Sequence, residues 1–208
     1  MTDETAKEPD EDARHREKMA KKKAARDKIM AGKTDEKGLL IVNTGKGKGK
    51  STAAMGMALR CIGHGMKVGV VQFVKGAWDT GERRALEAVG GDLIRFTAMG
   101  EGFTWETQDR ERDVAAARRA WDVAREMMAD PDYAMVILDE LNIVLRYDYL
   151  PFEEVMAGLT DRRDDLHVVV TGRNAKEALI EAADLATDMT LLKHPFRAGI
   201  KAQKGVEF

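Results

Sequence analysis

The segment Leu39-Leu40-Ile41-Val42-Asn43-Thr44-Gly45-Lys46-Gly47-Lys48-Gly49-Lys50-Ser51-Thr52 constrains this chain more than any other. An apolar run meets a loop of alternating Gly and Lys, and the loop meets the helix-forming Ala53-Ala54-Met55-Gly56-Met57-Ala58-Leu59-Arg60. Glycines in such a loop let the backbone curl until several N–H groups point inward at an anion. The following helix begins where its own N–H groups lack internal partners, so its positive end faces the same anion. Lys50 supplies a point charge for phosphate oxygens, and the Ser51 hydroxyl suits Mg²⁺. The general pattern G-x-x-x-x-G-K-[ST] is not met: Thr44 stands at its first position, and counting from Gly45 leaves three intervening residues. The loop is therefore a shortened form or an imitation. A Gly/Lys-rich surface turn is the competing reading, and the apolar run before and helix after the loop argue against it. By itself the segment specifies a nucleotide phosphate and names no reaction.

A chain of 208 residues, 44% of them hydrophobic, is long enough for one domain with a sizeable core and a tail. A net charge of −2 argues against wholesale coating of nucleic acid or membrane. A single cysteine, Cys61, rules out an intramolecular disulfide framework and, on the helix after the loop, reads as core packing. No apolar run is long enough to span a bilayer, and Met1–Glu8 is no signal peptide, so the expectation is a cytoplasmic protein.

In chain order, residues 1 to about 12 are acidic and are expected to be disordered. From Ala13 the sign flips: Arg14, Arg16, Lys18, Lys21, Lys22, Lys23, Arg26 and Lys28 lie in a helix-favouring arm, either solvated or serving as a basic flap. Strands are expected at Leu39–Asn43, Lys67–Phe73, Asp92–Phe96, Tyr133–Glu140, Leu166–Thr171 and Asp188–Leu192. Helices are expected after the glycine loop, around Arg83–Val89, over Gln108–Ala129, from Pro151 and over Asn174–Ala183. In the long helix Val114, Ala117, Trp121, Ala124 and Met128 form one stripe, so Trp121 reads as core. His167 opens an apolar strand and reads as structural. The four histidines lack paired ligand spacing, so no zinc site is expected. Alternating strands and helices give an α/β class, a parallel sheet with helices on both faces. Asp139 and Glu140 end a buried strand, at the edge where open α/β sheets bind ligands, and beside a phosphate loop one of them should hold Mg²⁺. Phe103 and Trp105 sit in a glycine-flanked loop where no strand or helix pattern needs them.

These residues carry a family resemblance. The glycine loop through Ala54, Gly63-His64-Gly65, Val70–Gly76, Gly81-Glu82-Arg83, Gly102-Phe103-Thr104-Trp105-Glu106-Thr107, Leu138-Asp139-Glu140-Leu141, Tyr147–Pro151, Thr171-Gly172-Arg173 and Gly199–Gly205 together resemble the P-loop type of corrinoid adenosyltransferase. The resemblance spans nearly everything from Gly38 onward, and in that family the shortened loop is the usual form. Asn often stands there in place of Lys46 and Thr in place of Ser51; Ser keeps the hydroxyl, and Lys46 adds charge. The first dozen residues have no placed counterpart.

The resemblance implies a three-layer P-loop (RecA-like) domain over residues 38–208, preceded over 1–37 by the acidic start and the basic arm as an active-site lid. It implies transfer of the 5′-deoxyadenosyl group of ATP to Co(I) of a reduced corrinoid, cob(I)alamin or cob(I)yrinic acid a,c-diamide, with release of tripolyphosphate. ATP would be held by Gly45, Lys46, Gly47, Lys48, Gly49, Lys50, Ser51, Thr52 and Arg60, with Arg173 a weaker phosphate candidate. Lys50 would stabilise charge; Ser51 and Glu140 would bind Mg²⁺ or Mn²⁺, with Asp139 behind them. Phe103 and Trp105 would occupy the lower corrin face. A homodimer and a flavoprotein reductant such as flavodoxin are implied as well, with no nucleic acid and no membrane. Cobalt is the nucleophile, so no protein nucleophile or base is required. A P-loop ATPase or kinase is the alternative; it leaves Phe103 and Trp105 unexplained and would make ADP. A nucleotide-responsive nucleic-acid binder using the Arg14–Lys28 arm is a more distant one.

Overall fold

The computed structural model describes residues 9–74, 80–98 and 109–206. The chain divides into two units, Met1–Glu36 and Lys37–Phe208. The first carries helix α1 (Pro9–Ala31). It starts earlier than expected, and Glu11 and Asp12 in its opening turns favour the positive helix end. Pairs at i,i+4 spacing brace it, Lys21–Glu17 at 2.6 Å and Lys23–Asp27 at 2.9 Å.

The second unit alternates strands β1 (Leu40–Thr44), β2 (Lys67–Gln72), β3 (Ile94–Ala98), β4 (Tyr133–Asp139), β5 (His167–Thr171) and β6 (Leu185–Asp188) with helices α2 (Lys50–Gly63), α3 (Gly81–Gly90), α4 (Arg110–Ala129), α5 (Leu141–Arg146), α6 (Phe152–Thr160) and α7 (Glu177–Ala182). The strands form one sheet in the order β3-β2-β4-β5-β1-β6, and every pair is parallel.

Successive strand residues face opposite ways, so the central strands feed two cores. Ile41, Val68, Val70, Met135, Ile137 and Val169 pack with Ala54, Ala58, Cys61 and Ile62 of α2 and Leu86 of α3. Leu40, Val42, Val71, Val136, Leu138, Val168 and Val170 pack on the other face with α4, α5 and α6. This is the expected three-layer α/β architecture, and it explains why these strands are apolar at consecutive positions. Trp121 is fully buried, as its stripe predicts, and Cys61 lies in the other core with its thiol pKa pushed up by burial, which keeps it inert. His167 Nδ1 accepts the Leu39 N–H at 3.0 Å, a structural role as expected.

Beyond shifts of two or three residues at element ends, as in β3 and α7, two elements of this unit differ from expectation. The final strand is Leu185–Asp188 rather than Asp188–Leu192, and Leu192 is 94% exposed. This edge strand is held by backbone pairing to β1 (Ile41↔Leu185 through Thr44↔Asp188), so no buried side chains mark it. Helix α5 was not expected: the sequence reading ends the strand at Glu140 and assigns no element to Leu141–Arg146. Glu140 turns the chain from β4 into α5 with a left-handed φ of 63°.

Candidate active site

In a parallel sheet all carboxyl ends lie along one edge, and the described loops expected to bind ligand gather there. Gly45 and Gly49 take φ of 97° and 104°, conformations that favour glycine. The residues after β6 lie against this loop: a Cβ on Gly45 would fall 2.1 Å from Asp188 Oδ1, and one on Gly47 would fall 2.5 Å from the Met189 carbonyl oxygen. The Gly47 N–H donates to that same carbonyl at 2.6 Å, so this amide braces the loop rather than pointing at an anion. Gly47→Ala must displace backbone, and kcat/KM should fall on the order of 10²-fold for a misplacement near 1 Å. Steady-state kinetics on folded protein would measure this; unchanged turnover would show that the close packing is dispensable.

Lys50 opens α2 and is 7% exposed, its Nζ donating to the Gly47 carbonyl. Burial holds its pKa below the usual lysine range; Glu140 opposes this, Arg173 and Lys48 reinforce it, and Asp188 opposes it. The balance describes a cation held dry at the mouth of a helix, short of the negative charge that a polyphosphate would bring.

Behind Lys50 lies a buried polar cluster. Asp139 is fully buried at the end of β4. Its Oδ1 accepts from Ser51 Oγ at 2.7 Å and from Thr171 Oγ1 at 2.8 Å, and its Oδ2 accepts from Gln72 Nε2 at 3.2 Å. Three donors from α2, β5 and β2 offset the cost of burying this carboxylate. Glu140 follows, its backbone N–H donating to Thr171 Oγ1 at 2.9 Å. The sequence expectation placed Asp139 behind Ser51 and Glu140, and Asp139 is the acid bonded to Ser51. The donor set is hard oxygen throughout and fits Mg²⁺ or Mn²⁺ bound largely through nucleotide phosphates and water. Among the described residues no cluster of three or more His, Cys, Asp or Glu forms a dedicated metal cage.

Lys48, Lys50, Ser51, Asp139, Glu140 and Arg173 thus converge, while Lys46 and Thr52 are exposed on the loop and the first turn of α2. Arg60 lies ten residues further along α2, about 15 Å along the axis from Lys50. Phe103 and Trp105 lie outside the described residues. Gln72, Thr171, Asp188 and Met189 belong to the site without having been assigned a role. Gln72 and Thr171 carried a signal, a polar residue closing a buried apolar strand; Asp188 and Met189 carried none, because their strand was misplaced.

A shortened glycine loop, a buried helix-start lysine and a hydroxyl–carboxylate pair at the edge of a parallel sheet define a P-loop nucleotide-binding α/β protein. The particular family follows from comparison with known proteins. Residues 36–208 match the model of the ATP:corrinoid adenosyltransferases BtuR/CobO/CobP, and residues 1–30 match that of the cob(I)alamin adenosyltransferase N-terminal segment. The chain is 62% identical to the corrinoid adenosyltransferase of a Sinorhizobium species over 214 residues, covering 100% of both chains. It is 56% identical to that of Pseudomonas aeruginosa over 96% of this chain and 98% of the other, and 47% identical to that of Escherichia coli K12 over 95% and 99%. The chain belongs to the ATP:corrinoid adenosyltransferase family. Its N-terminal residues, left without a counterpart by the sequence reading, have one in the second model.

Proposed function

We propose that this chain transfers the 5′-deoxyadenosyl group of ATP to Co(I) of a reduced corrinoid. The supporting observation is the convergence of Lys50, Ser51 and Asp139 at the glycine loop in a chain of this family. Co(I) attacks C5′ with its electron pair, a Co–C bond forms, and the C5′–O bond breaks. Tripolyphosphate leaves with that bond's electrons, and cobalt becomes formally Co(III). What the protein supplies is charge stabilisation on a polyanionic leaving group and alignment of an in-line attack. Lys50 would serve the first, together with the N–H groups at the α2 start, Lys48 and Arg173. Ser51 and the Asp139–Glu140 pair would hold Mg²⁺, which supplies further neutralisation of phosphate charge when bound.

Phe103 and Trp105 are proposed to cover the lower corrin face. Displacing the axial donor from Co(II) lowers the orbital that accepts an electron, so a flavoprotein reductant can generate Co(I). Trp105→Ala should then bind ATP normally yet lose adenosylation when Co(II) is the starting form and retain it with preformed Co(I). Near-wild-type turnover from Co(II) would remove the aromatic-face role. The N-terminal helical arm is proposed as a lid, the assembly as a homodimer and the compartment as the cytoplasm. No helix among the described residues is long and apolar enough to cross a membrane.

The decisive assay is anaerobic, with chemically reduced cob(I)alamin, Mg²⁺ and ATP. The expected result is the light-sensitive adenosylcobalamin spectrum together with tripolyphosphate. ADP and phosphate in their place would establish the hydrolase alternative.

A further inference from the structure

The least ordinary backbone in the site is at Glu140, a residue with a side chain in the left-handed region, φ 63° and ψ 21°. Such a conformation persists only where surrounding contacts hold it. The Phe73 N–H donates to the Asp139 carbonyl at 3.0 Å, and the end of β5 supplies further contacts. The Thr171 hydroxyl is used in both directions: it donates to Asp139 Oδ1 at 2.8 Å and accepts the Glu140 N–H at 2.9 Å. One hydroxyl thereby grips both sides of the peptide joining the two acids. Asn142 Nδ2 donates to the Gly172 carbonyl at 3.1 Å and ties the first turn of α5 to the same loop. Gly172, at φ 125°, leaves the room this needs: a Cβ there would lie 2.8 Å from Asn142 Cβ and 3.1 Å from Glu140 Oε2.

The consequence reaches the phosphate loop. A Glu140 in ordinary strand or right-handed geometry would send its side chain elsewhere; in the clamped geometry its Oε2 lies beside Gly172, and its charge reaches Lys50. Asp139 needs no such device, being held also by Ser51 and Gln72. Thr171 is therefore the only group on β5 that bonds both acids among the described residues.

We propose that Thr171 is a positioning residue for the polyphosphate and its divalent cation, acting through Glu140: its hydroxyl locks the Asp139–Glu140 peptide so that the second carboxylate is held beside Gly172 at the ligand edge of the sheet. This rests on the reading of Ser51, Asp139 and Glu140 as the cation site. Valine has nearly threonine's shape without the hydroxyl, and serine keeps the hydroxyl without the methyl, so the pair separates clamping from filling.

The test is ATP affinity by isothermal titration, in Mg²⁺ and in EDTA, for wild type, Thr171→Val, Thr171→Ser, Glu140→Gln and the Thr171→Val/Glu140→Gln double variant. Thr171→Val should lose about 10-fold in Mg²⁺ and little in EDTA, a split that a general loss of packing would not produce. Thr171→Ser should restore the Mg²⁺ gain. The double variant should bind like Glu140→Gln alone, because a clamp has nothing to position once the carboxylate is gone. Equal losses with and without Mg²⁺, additive losses in the double variant, or a wild type without a Mg²⁺ gain would each overturn the proposal. Should Thr171→Val prove unfolded by circular dichroism, Thr171→Ser and Thr171→Ala carry the same comparison. Adenosyl transfer is read separately: a wild type that gains affinity with Mg²⁺ but makes no adenosylated corrinoid refutes the functional reading and leaves the clamp standing.

Discussion

Lys50→Ala is expected to lower kcat/KM for adenosyl transfer by about 10³-fold, about 4 kcal/mol of transition-state stabilisation. The leaving group is a polyanion, and Lys50 is the buried cation at the loop where it would rest. The same variant should not unfold. A lysine whose folded pKa lies below its unfolded value near 10.4 holds its proton less well in the fold. Its charge therefore costs stability in full at pH values below its folded pKa; the cost fades as pH rises from the folded to the unfolded pKa and is gone above the latter. Removing the ammonium removes the cost at pH 7, so Tm of the nucleotide-free protein should hold or rise while turnover collapses. Thermal denaturation and single-turnover kinetics on one preparation would check both halves. A collapse of Tm together with activity would mark Lys50 as a structural brace through Gly47 instead.

Trp121→Ala should cost about 3–5 kcal/mol of folding stability, the usual range for emptying a buried aromatic site. The ring is fully buried among the helices on one face of the sheet, and α6 crosses it at Gly158, where a Cβ would lie 2.7 Å from Trp121 Cζ2. The backbone of α6 can therefore come close only because position 158 has no side chain. The indole Nε1 has no hydrogen-bond partner among the described residues, so the attachment is apolar, and Trp121→Phe should cost much less by removing an unsatisfied donor along with some volume. Urea denaturation would show the midpoint falling with the m value unchanged. A loss for Trp121→Ala below about 1 kcal/mol would mean that the surrounding helices collapse into the space.

Much of the fold is legible because its signals are local. The strand–loop–helix start, the stripe through Trp121 and the consecutive β-branched residues of β1, β2, β4 and β5 are patterns within one element. The misses share a physical cause. Edge strand β6 is recorded in backbone pairing to β1, and its side chains, all exposed, carry no periodicity. Helix α5 hides because it is only six residues long, and the turn before it rests on a left-handed glutamate where glycine or asparagine would be the readable sign. In the site, Lys50, Ser51, Asp139 and Glu140 were legible, since each stands at the end of a recognisable element.

What the sequence by itself determined is therefore the chemistry on offer: a glycine loop, a lysine and hydroxyl at a helix start, and two acids closing a buried strand. What only the tertiary structure decided is how those groups face one another. Asp139 rather than Glu140 bonds Ser51, the Gly47 amide is taken by Met189, and Thr171 grips the peptide between the two acids. Each of these contacts joins residues at least 31 positions apart in the chain, and each depends on which strands are neighbours and in what register. Local periodicity carries no information about that register; it is selected by the packing of both sheet faces at once.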